Sequence, residues 1–222
     1  EVLAIPIYFL AGHNIASRSD KTPWYQGPSL IEHLETAPLD DEADQAKPFT
    51  MPVQWVNRPN LDFRGFSGTI STGVVKVGDA VRVTPSGKTS TISRIVTLDC
   101  DLTEAVAGQS VTLCLADEID CSRGDVLAKA DASPQVADQF EATIVWMADE
   151  VLLPGRPYWL KLATQTVTAT IQPPKYQINV NSLEHTAAKT LELNAIGVAN
   201  LSIDRNIAFE PYAANRDLGG FI

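Results

Sequence analysis

Gly87-Lys88-Thr89 has the ending of a phosphate-binding loop, in which backbone N–H groups and a lysine cradle the phosphates of a nucleotide. The full pattern needs a glycine five positions before Gly87, and that position is Arg82. Such a loop must also open a helix, so that its N–H groups converge on the oxygens. Here Val81-Arg82-Val83 and Thr91-Ile92-Ser93-Arg94-Ile95 alternate on either side like two strands, which predicts a hairpin turn at Gly87-Lys88. Asp62-Phe63-Arg64-Gly65 and Asp217-Leu218-Gly219-Gly220 spell the Asp-x-x-Gly of GTPases, but neither follows a suitable strand behind a phosphate loop, and no Asn-Lys-x-Asp is present. Glu118 and Asp120 stand two apart and could share a strand face as a general acid and base. Beside Asp117 they read as a solvated loop. His13, His33 and His185 are far apart and lack metal-ligand spacing. Cys100, Cys114 and Cys121 form no Cys-x-x-Cys pair, and their odd number fits reduced thiols in a cytosolic protein. No catalytic or metal-ligating residue is expected.

The elements that would have to position any site begin with an apolar run from Leu3 to Leu10, expected to be a strand buried on both faces. Gly12-His13-Asn14 breaks it. Pro28 suits the first turn of a helix, and Leu30, Ile31 and Leu34 supply an apolar stripe that Pro38 ends. Residues 37–50 read as a linker, with Asp40-Asp41-Glu42-Ala43-Asp44 solvated. Beyond it the pattern is strand-like almost throughout, with glycines at short intervals, which predicts a barrel or sandwich over 51–132. A break at Asp131-Ala132-Ser133-Pro134 opens a second set of strands over 133–222: Phe140 to Met147, Tyr158 to Leu162, Val167 to Ile171, Leu191 to Val198 and Ile207 to Phe209. Apolar residues resume at Gly220-Phe221-Ile222, so a further terminal strand is expected, and the lack of an initiating Met is what a fragment or a processed product would show.

Net charge is -10, from 17 Lys+Arg against 27 Asp+Glu. Such a surface repels nucleic acid on average, because phosphate affinity rests on neutralising cations. The longest apolar stretch, Val2 to Ala11, is too short for a bilayer, which takes ~20 residues. No membrane partner is expected.

Arg58-Pro59-Asn60-Leu61-Asp62-Phe63-Arg64-Gly65-Phe66-Ser67-Gly68-Thr69 and Asp117-Glu118-Ile119-Asp120-Cys121-Ser122-Arg123-Gly124-Asp125-Val126-Leu127 together resemble the barrel behind the GTPase domain in the large, GTP-binding subunit of bacterial sulfate adenylyltransferase. Further blocks resemble the same family in order: Pro23-Trp24-Tyr25-Gln26-Gly27-Pro28, Ala107-Gly108-Gln109-Ser110-Val111-Thr112-Leu113, Pro154-Gly155-Arg156-Pro157-Tyr158, Lys175-Tyr176-Gln177-Ile178-Asn179-Val180-Asn181 and Ile207-Ala208-Phe209-Glu210-Pro211-Tyr212. The elongation factor Tu superfamily shares that architecture. The resemblance implies a mainly β fold: a short α/β remnant of a GTPase domain (1–36), a linker (37–50), β-barrel domain II (51–132) and β-barrel domain III (133–222), truncated at its C-terminus.

The resemblance also implies a function. The family's holoenzyme joins sulfate to the AMP moiety of ATP, giving adenosine 5′-phosphosulfate and pyrophosphate. GTP hydrolysis on the large subunit helps drive that step, and a small partner subunit carries the adenylyl-transfer site. GTP and Mg²⁺ belong to the intact subunit; this chain carries neither the glycine cradle nor the metal ligands and is expected to be inactive alone, in the bacterial cytoplasm. Some relatives are fused to adenylylsulfate kinase, of which no trace is visible. One guanine-side remnant is implied: Leu10, Gly12 and Asn14 fit the family loop, while Tyr8 and Phe9 stand where two small residues would. Arg58, Asp62, Arg64 and Arg156, beside Pro or Gly turns, are the candidate interdomain or partner contacts. Two other readings remain open: a translational-GTPase barrel pair that binds RNA or a protein, and a free-standing enzyme with a pocket around Glu118 and Asp120.

Overall fold

The computed structural model describes residues 3–37, 44–60 and 62–222. The core of the expected acidic linker therefore lies outside the described residues. The chain divides into a small unit, Glu1–Glu42, and a large one, Ala43–Ile222.

In the small unit the apolar run from Leu3 to Leu10 is not a strand. It is irregular up to a 3-10 turn at Phe9–Ala11, which Gly12 closes in the left-handed region at φ 68°. Phe9 is 75% and Leu10 89% exposed. A strand buried on both faces needs ladders on both sides, and within the described residues the run meets only the isolated bridge between Tyr8 and His13. Pro6 also removes one donor. Helix α1 (Leu30–Thr36) starts two residues later than Pro28 suggests, because Ser29 is its N-cap: Ser29 Oγ accepts from Glu32 N–H and Glu32 reaches back to Ser29 N–H. The stripe of Leu30, Ile31 and Leu34 buries nothing fully; Leu34 is 66% exposed.

The large unit holds two β domains. The first runs from β1 (Thr50–Pro52) and β2 (Trp55–Asn57) through β3 (Gly65–Thr69), β4 (Val74–Lys76), β5 (Ala80–Thr84), β6 (Thr89–Val96), β7 (Asp101–Leu102), β8 (Glu104–Val106) and β9 (Ser110–Leu115) to β10 (Val126–Lys129). Its main sheet has the order β1-β10-β5-β6-β9-β3-β2, with β7 on β6, and β4 pairs β8 separately. The two ends of that path are consecutive segments of chain. Thr50 N–H donates to Thr72 O and Gln54 N–H to Ser67 O, so the sheet curls back on itself through the chain rather than through an unbroken ladder. The curl needs Gly68: a Cβ there would lie 2.4 Å from the Pro52 carbonyl oxygen.

The β5–β6 turn is the hairpin expected at Gly87-Lys88, with Gly87 at φ 78°. Ile92 and Ile95 are both buried although three apart, because a register shift against β9 between Ile92 and Arg94 inserts a residue. Met51, Val53, Val83, Ile92, Ile95, Leu113 and Leu127 form the core.

The second domain comprises β11 (Gln135–Val145), β12 (Pro157–Leu162), β13 (Gln165–Ile171), β14 (Tyr176–Ile178), β15 (His185–Thr186) and β16 (Ile196–Phe209). Val167, Ala169 and Ile171 point inward and Thr168 and Thr170 do not, the alternation expected. The two strands expected at 191–198 and 207–209 are instead one strand, β16, preceded by a turn. β16 organises the sheet: β11 pairs it along one edge, and β14 and β13 share the other. Between its pairs with Ala137 (Ile207) and Gln139 (Ser202), β16 leaves Ile203–Asn206 outside the ladder. Leu152, Leu160, Val167, Leu191, Leu201 and Ile207 fill this second core.

A third small cluster, Val126, Ala208 and Leu218, joins the two β domains. Polar bonds surround it. Asn215 caps the helical turn Arg216–Gly219 by accepting from Asp217 and Leu218 N–H, and its Nδ2 donates to Thr50 Oγ1 at 3.1 Å. Ser71 Oγ donates to Asp217 Oδ2 at 2.5 Å, and Lys47 Nζ to the Ala214 carbonyl at 2.7 Å.

Candidate functional site

The loop carrying Leu10, Gly12 and Asn14 is held by Asn14 itself. That side chain is fully buried at φ 58°. Its Nδ2 donates to the Pro6 carbonyl at 2.7 Å and to Thr22 Oγ1 at 2.9 Å, and its Oδ1 accepts from Ser19 N–H at 2.7 Å. Both ends of the amide are therefore spent on the loop, and the residue acts as a latch. Gly12 is open, with nothing within 4 Å of where a Cβ would be. Tyr8 stacks on His13 at 5.9 Å, and His13 Nδ1 shares a proton with Ser19 Oγ at 2.8 Å. The loop brings together Gly12 backbone and two exposed apolar side chains, and offers no acceptor or donor from Asn14.

Arg58, Asp62 and Arg64 lie on the β2–β3 connection. Arg58 Nη2 stands 3.8 Å from Glu118 Oε1, an exposed pair of little energetic weight. Asp62 N–H donates to Asn60 Oδ1, which fixes the turn. The Arg64 guanidinium sits over the Phe66 ring, 5.4 Å from its centroid. Arg156, in the other β domain, repeats that arrangement over Tyr158 at 5.8 Å. Among the described residues no hydrogen bond or ion pair links Arg156 to the other three.

Glu118 and Asp120 do not converge on a cavity. Asp120 pairs with Lys88 Nζ at 3.0 Å, and that hydrogen bond holds its carboxyl below the usual range. Asp117 accepts from Ser90 Oγ at 2.7 Å. Cys121 is buried, and burial, then the nearby Asp125, pushes its thiol up to about 12, so it is not a nucleophile at neutral pH. Among the described residues no three His, Cys, Asp or Glu side chains gather to hold a metal ion.

Two adjoining clefts were not foreseen. A shallow one is lined by Gln54, Trp55, Val56, Ser122 and Arg123. The second, of about 330 Å³, lies between the β domains, with Arg123, Gly124 and Asp125 from the first and Thr164, Gln165 and Arg205 from the second. Arg123 belongs to the family-like block Asp117–Leu127, but Arg205 is far away in sequence and nothing in its neighbours marks it.

The comparisons agree with this architecture. Residues 66–128 match the model of elongation factor Tu domain 2, and residues 139–222 that of the GTP-eEF1A C-terminal domain-like family. The crystal structure of Sup35 complexed with GMPPNP superposes with a TM-score of 0.75 over 96% of this chain and 53% of that one, at 21% identity, a likeness of fold alone. Much closer in sequence are the bifunctional enzyme NodQ of Rhizobium sp. (strain N33), 52% identical over the whole chain and 34% of its own length, and sulfate adenylyltransferase subunit 1 of Aliarcobacter butzleri, 47% identical over the whole chain and 47% of its own. The chain thus spans between about a third and a half of the curated relatives it matches. With identity of that order along its full length, the chain belongs to the family of sulfate adenylyltransferase subunit 1 and NodQ, and it contains elongation-factor-Tu-like β domains.

Proposed function

We propose that the chain is the β-domain portion of the GTP-dependent regulatory subunit of sulfate adenylyltransferase. The holoenzyme would make adenosine 5′-phosphosulfate and pyrophosphate from ATP and sulfate in the cytoplasm, with the chemistry on a small adenylyl-transferring partner subunit. The observation that carries this reading is the 47% identity to a protein named as subunit 1 over all 222 residues. In this reading residues 1–36 are the end of the GTPase domain, 37–50 the linker, and 51–132 and 133–222 domains II and III.

The residues present do not fit GTP and Mg²⁺ by themselves. Arg82 stands where a phosphate loop needs glycine, Gly87 turns a hairpin rather than opening a helix, and the Asn14 amide is consumed internally. Leu10 and Gly12 could touch a guanine only as the rim of a site completed by other residues. The part played by these 222 residues is therefore mechanical. Two β domains locked through Asn215, Thr50 and Ser71 move as one body, and a body of that kind can carry a change of GTPase state to a partner subunit through interfaces that include Arg58, Asp62, Arg64 and Arg156.

The test is a pull-down of the small subunit with the full-length protein, wild type and with Arg58, Arg64 or Arg156 changed to Ala, followed by assays of GTP hydrolysis and of adenylyl transfer. The reading expects co-purification, and expects at least one substitution to lower GTP-stimulated adenylyl transfer while GTP hydrolysis persists. Absence of any complex with the small subunit would sink it. The second reading, a barrel pair that binds RNA, expects steeply salt-dependent filter binding at low salt; a net charge of -10 weighs against it.

A further inference from the structure

The cleft between the two β domains is built by backbone irregularities that each deliver a donor. In the first domain Gly124 holds φ 100°, and a Cβ there would lie 2.9 Å from Gln165 Cγ, so the close approach of the two domains at this point needs a glycine. This turn presents Arg123. In the second domain the β12–β13 turn carries Ala163 at φ 48° and then Thr164. The stretch Ile203–Asn206, which β16 leaves outside its ladder with β11, brings Arg205 and Asn206 to the same cleft. Irregular strand segments of this kind commonly re-aim side chains at functional places.

The polar groups in the cleft are unevenly satisfied. Each guanidinium is steered by a single backbone carbonyl: Arg123 Nη1 donates to Gln54 O at 2.8 Å and Arg205 Nη2 to Thr166 O at 2.8 Å. Among the described residues neither arginine has a carboxylate within 4.0 Å, in a chain where acids outnumber bases 27 to 17. Thr164 Oγ1 is shielded from solvent and has no hydrogen-bond partner, a state that costs on the order of 1–3 kcal/mol. The one carboxylate there, Asp125, already accepts from Ser122 N–H at 2.8 Å. Two guanidinium forks and Asn206 line one small space, with the unpartnered Thr164 hydroxyl shielded beneath its wall, an excess of donors and positive charge over the single carboxylate. Guanidinium forks match the paired oxygens of a tetrahedral oxyanion, and charge-assisted bonds of this type are the strong ones.

We propose that this interdomain cleft binds a tetrahedral oxyanion of the sulfate or phosphate class, held between Arg123 of the first β domain and Arg205 and Thr164 of the second. The site does not depend on the functional reading above. A bound dianion ties the two domains together at a second place, apart from the Asn215 junction.

Calorimetric titration of the full-length protein with inorganic sulfate and, separately, inorganic phosphate tests this, with ionic strength held constant by sodium chloride. The wild type shows a saturable step with at least one of the two anions. Arg123→Gln and Arg205→Gln each weaken it about tenfold or more, Thr164→Val weakens it several-fold, and Arg94→Gln, outside the cleft, leaves it unchanged. Amide resonances of Gly124 and Thr164 shift with the same saturation curve, which locates the site even if one variant folds poorly. A titration indifferent to both arginine substitutions means an adventitious ion only and overturns the proposal, as does an absence of any saturable step.

Discussion

Asn215 Nδ2 reaches Thr50 Oγ1 at 3.1 Å across 165 residues of sequence, from the C-terminal helical turn of one β domain to the first strand of the other. Thr50 Oγ1 is itself bonded to Thr72 Oγ1 at 2.7 Å, and Thr72 Oγ1 donates to the Pro48 carbonyl. The amide oxygen of Asn215 meanwhile caps two backbone N–H groups. One side chain, 3% exposed, thus ends a helix and locks a domain boundary.

Asn215→Ala should therefore cost more than a surface cap. It removes the cap, worth typically ~1 kcal/mol, and strands the buried Thr50–Thr72 pair of hydroxyls with one donor fewer, at ~1 kcal/mol more. Asn215→Ser keeps a capping oxygen and removes the amide donor to Thr50 without burying a charge, so it should fall between wild type and Ala. Urea unfolding midpoints read at constant slope give the order; equal stability of all three proteins would show that the junction carries no energy.

Gly68→Ala tests the curl of the first sheet. The added methyl would meet the Pro52 carbonyl oxygen at 2.4 Å, backbone that cannot swing aside. The loss should exceed the ~1–3 kcal/mol typical of overpacking. Gly87→Ala is the control: it has open space around it but φ 78°, so it should cost only the ~1–2 kcal/mol of a left-handed alanine. Thermal unfolding of the pair separates clash from backbone strain, and a Gly68 variant as stable as the Gly87 one would mean that the sheet is not tightly closed there.

These local rules explain how much was legible in advance. Val81 and Val83, or Val167, Ala169 and Ile171, announce their strands because burial alternates with the pleat whatever lies across the sheet. The hairpin at Gly87 follows from the same reasoning. The Leu3–Leu10 run departs from the expected strand because apolar content alone does not make a strand; a ladder partner does, and the described residues supply none. Asn14 was legible as a member of a family loop but not as its internal latch, since its partners Pro6, Ser19 and Thr22 are fixed only by the fold. Arg205 was invisible for a related reason. Its place depends on four residues of β16 slipping out of register, which no periodicity in Ile203–Asn206 foretells.

Asp125 should make stability depend on pH in an unusual direction. Burial raises its carboxyl above the ordinary value of 3.8, against the smaller opposing effects of the Ser122 N–H and of Arg205. The folded state then binds a proton more tightly than the unfolded chain. This group's contribution is fullest below pH 3.8 and is lost as pH rises through the folded value. Asp125→Asn keeps an acceptor for Ser122 N–H without the charge. Relative to the variant, the wild type should lose stability between pH 3.8 and neutrality and run parallel above that. Melting temperatures of both proteins across this range check it, and a wild type that gains on the variant as pH rises would contradict the burial argument.

Thiol reactivity offers a last check on the first β domain. Cys100 is exposed on the connection before β7, whereas Cys114 and Cys121 are buried. Burial raises the Cys114 thiol and pushes that of Cys121 up to about 12, so neither supplies thiolate at neutral pH, and neither is reachable by a reagent. Iodoacetamide at pH 7.5 should therefore modify Cys100 alone in the native protein, and all three cysteines in denaturant, as counted by intact mass. The second and third adducts should appear only slowly under native conditions, that of Cys121 when the core around Leu113 and Leu127 that holds it opens. If Cys121 reacted well before Cys114, the segment from Asp117 to Asp125 would be opening by itself, and the Arg123 face of the interdomain cleft would open with it.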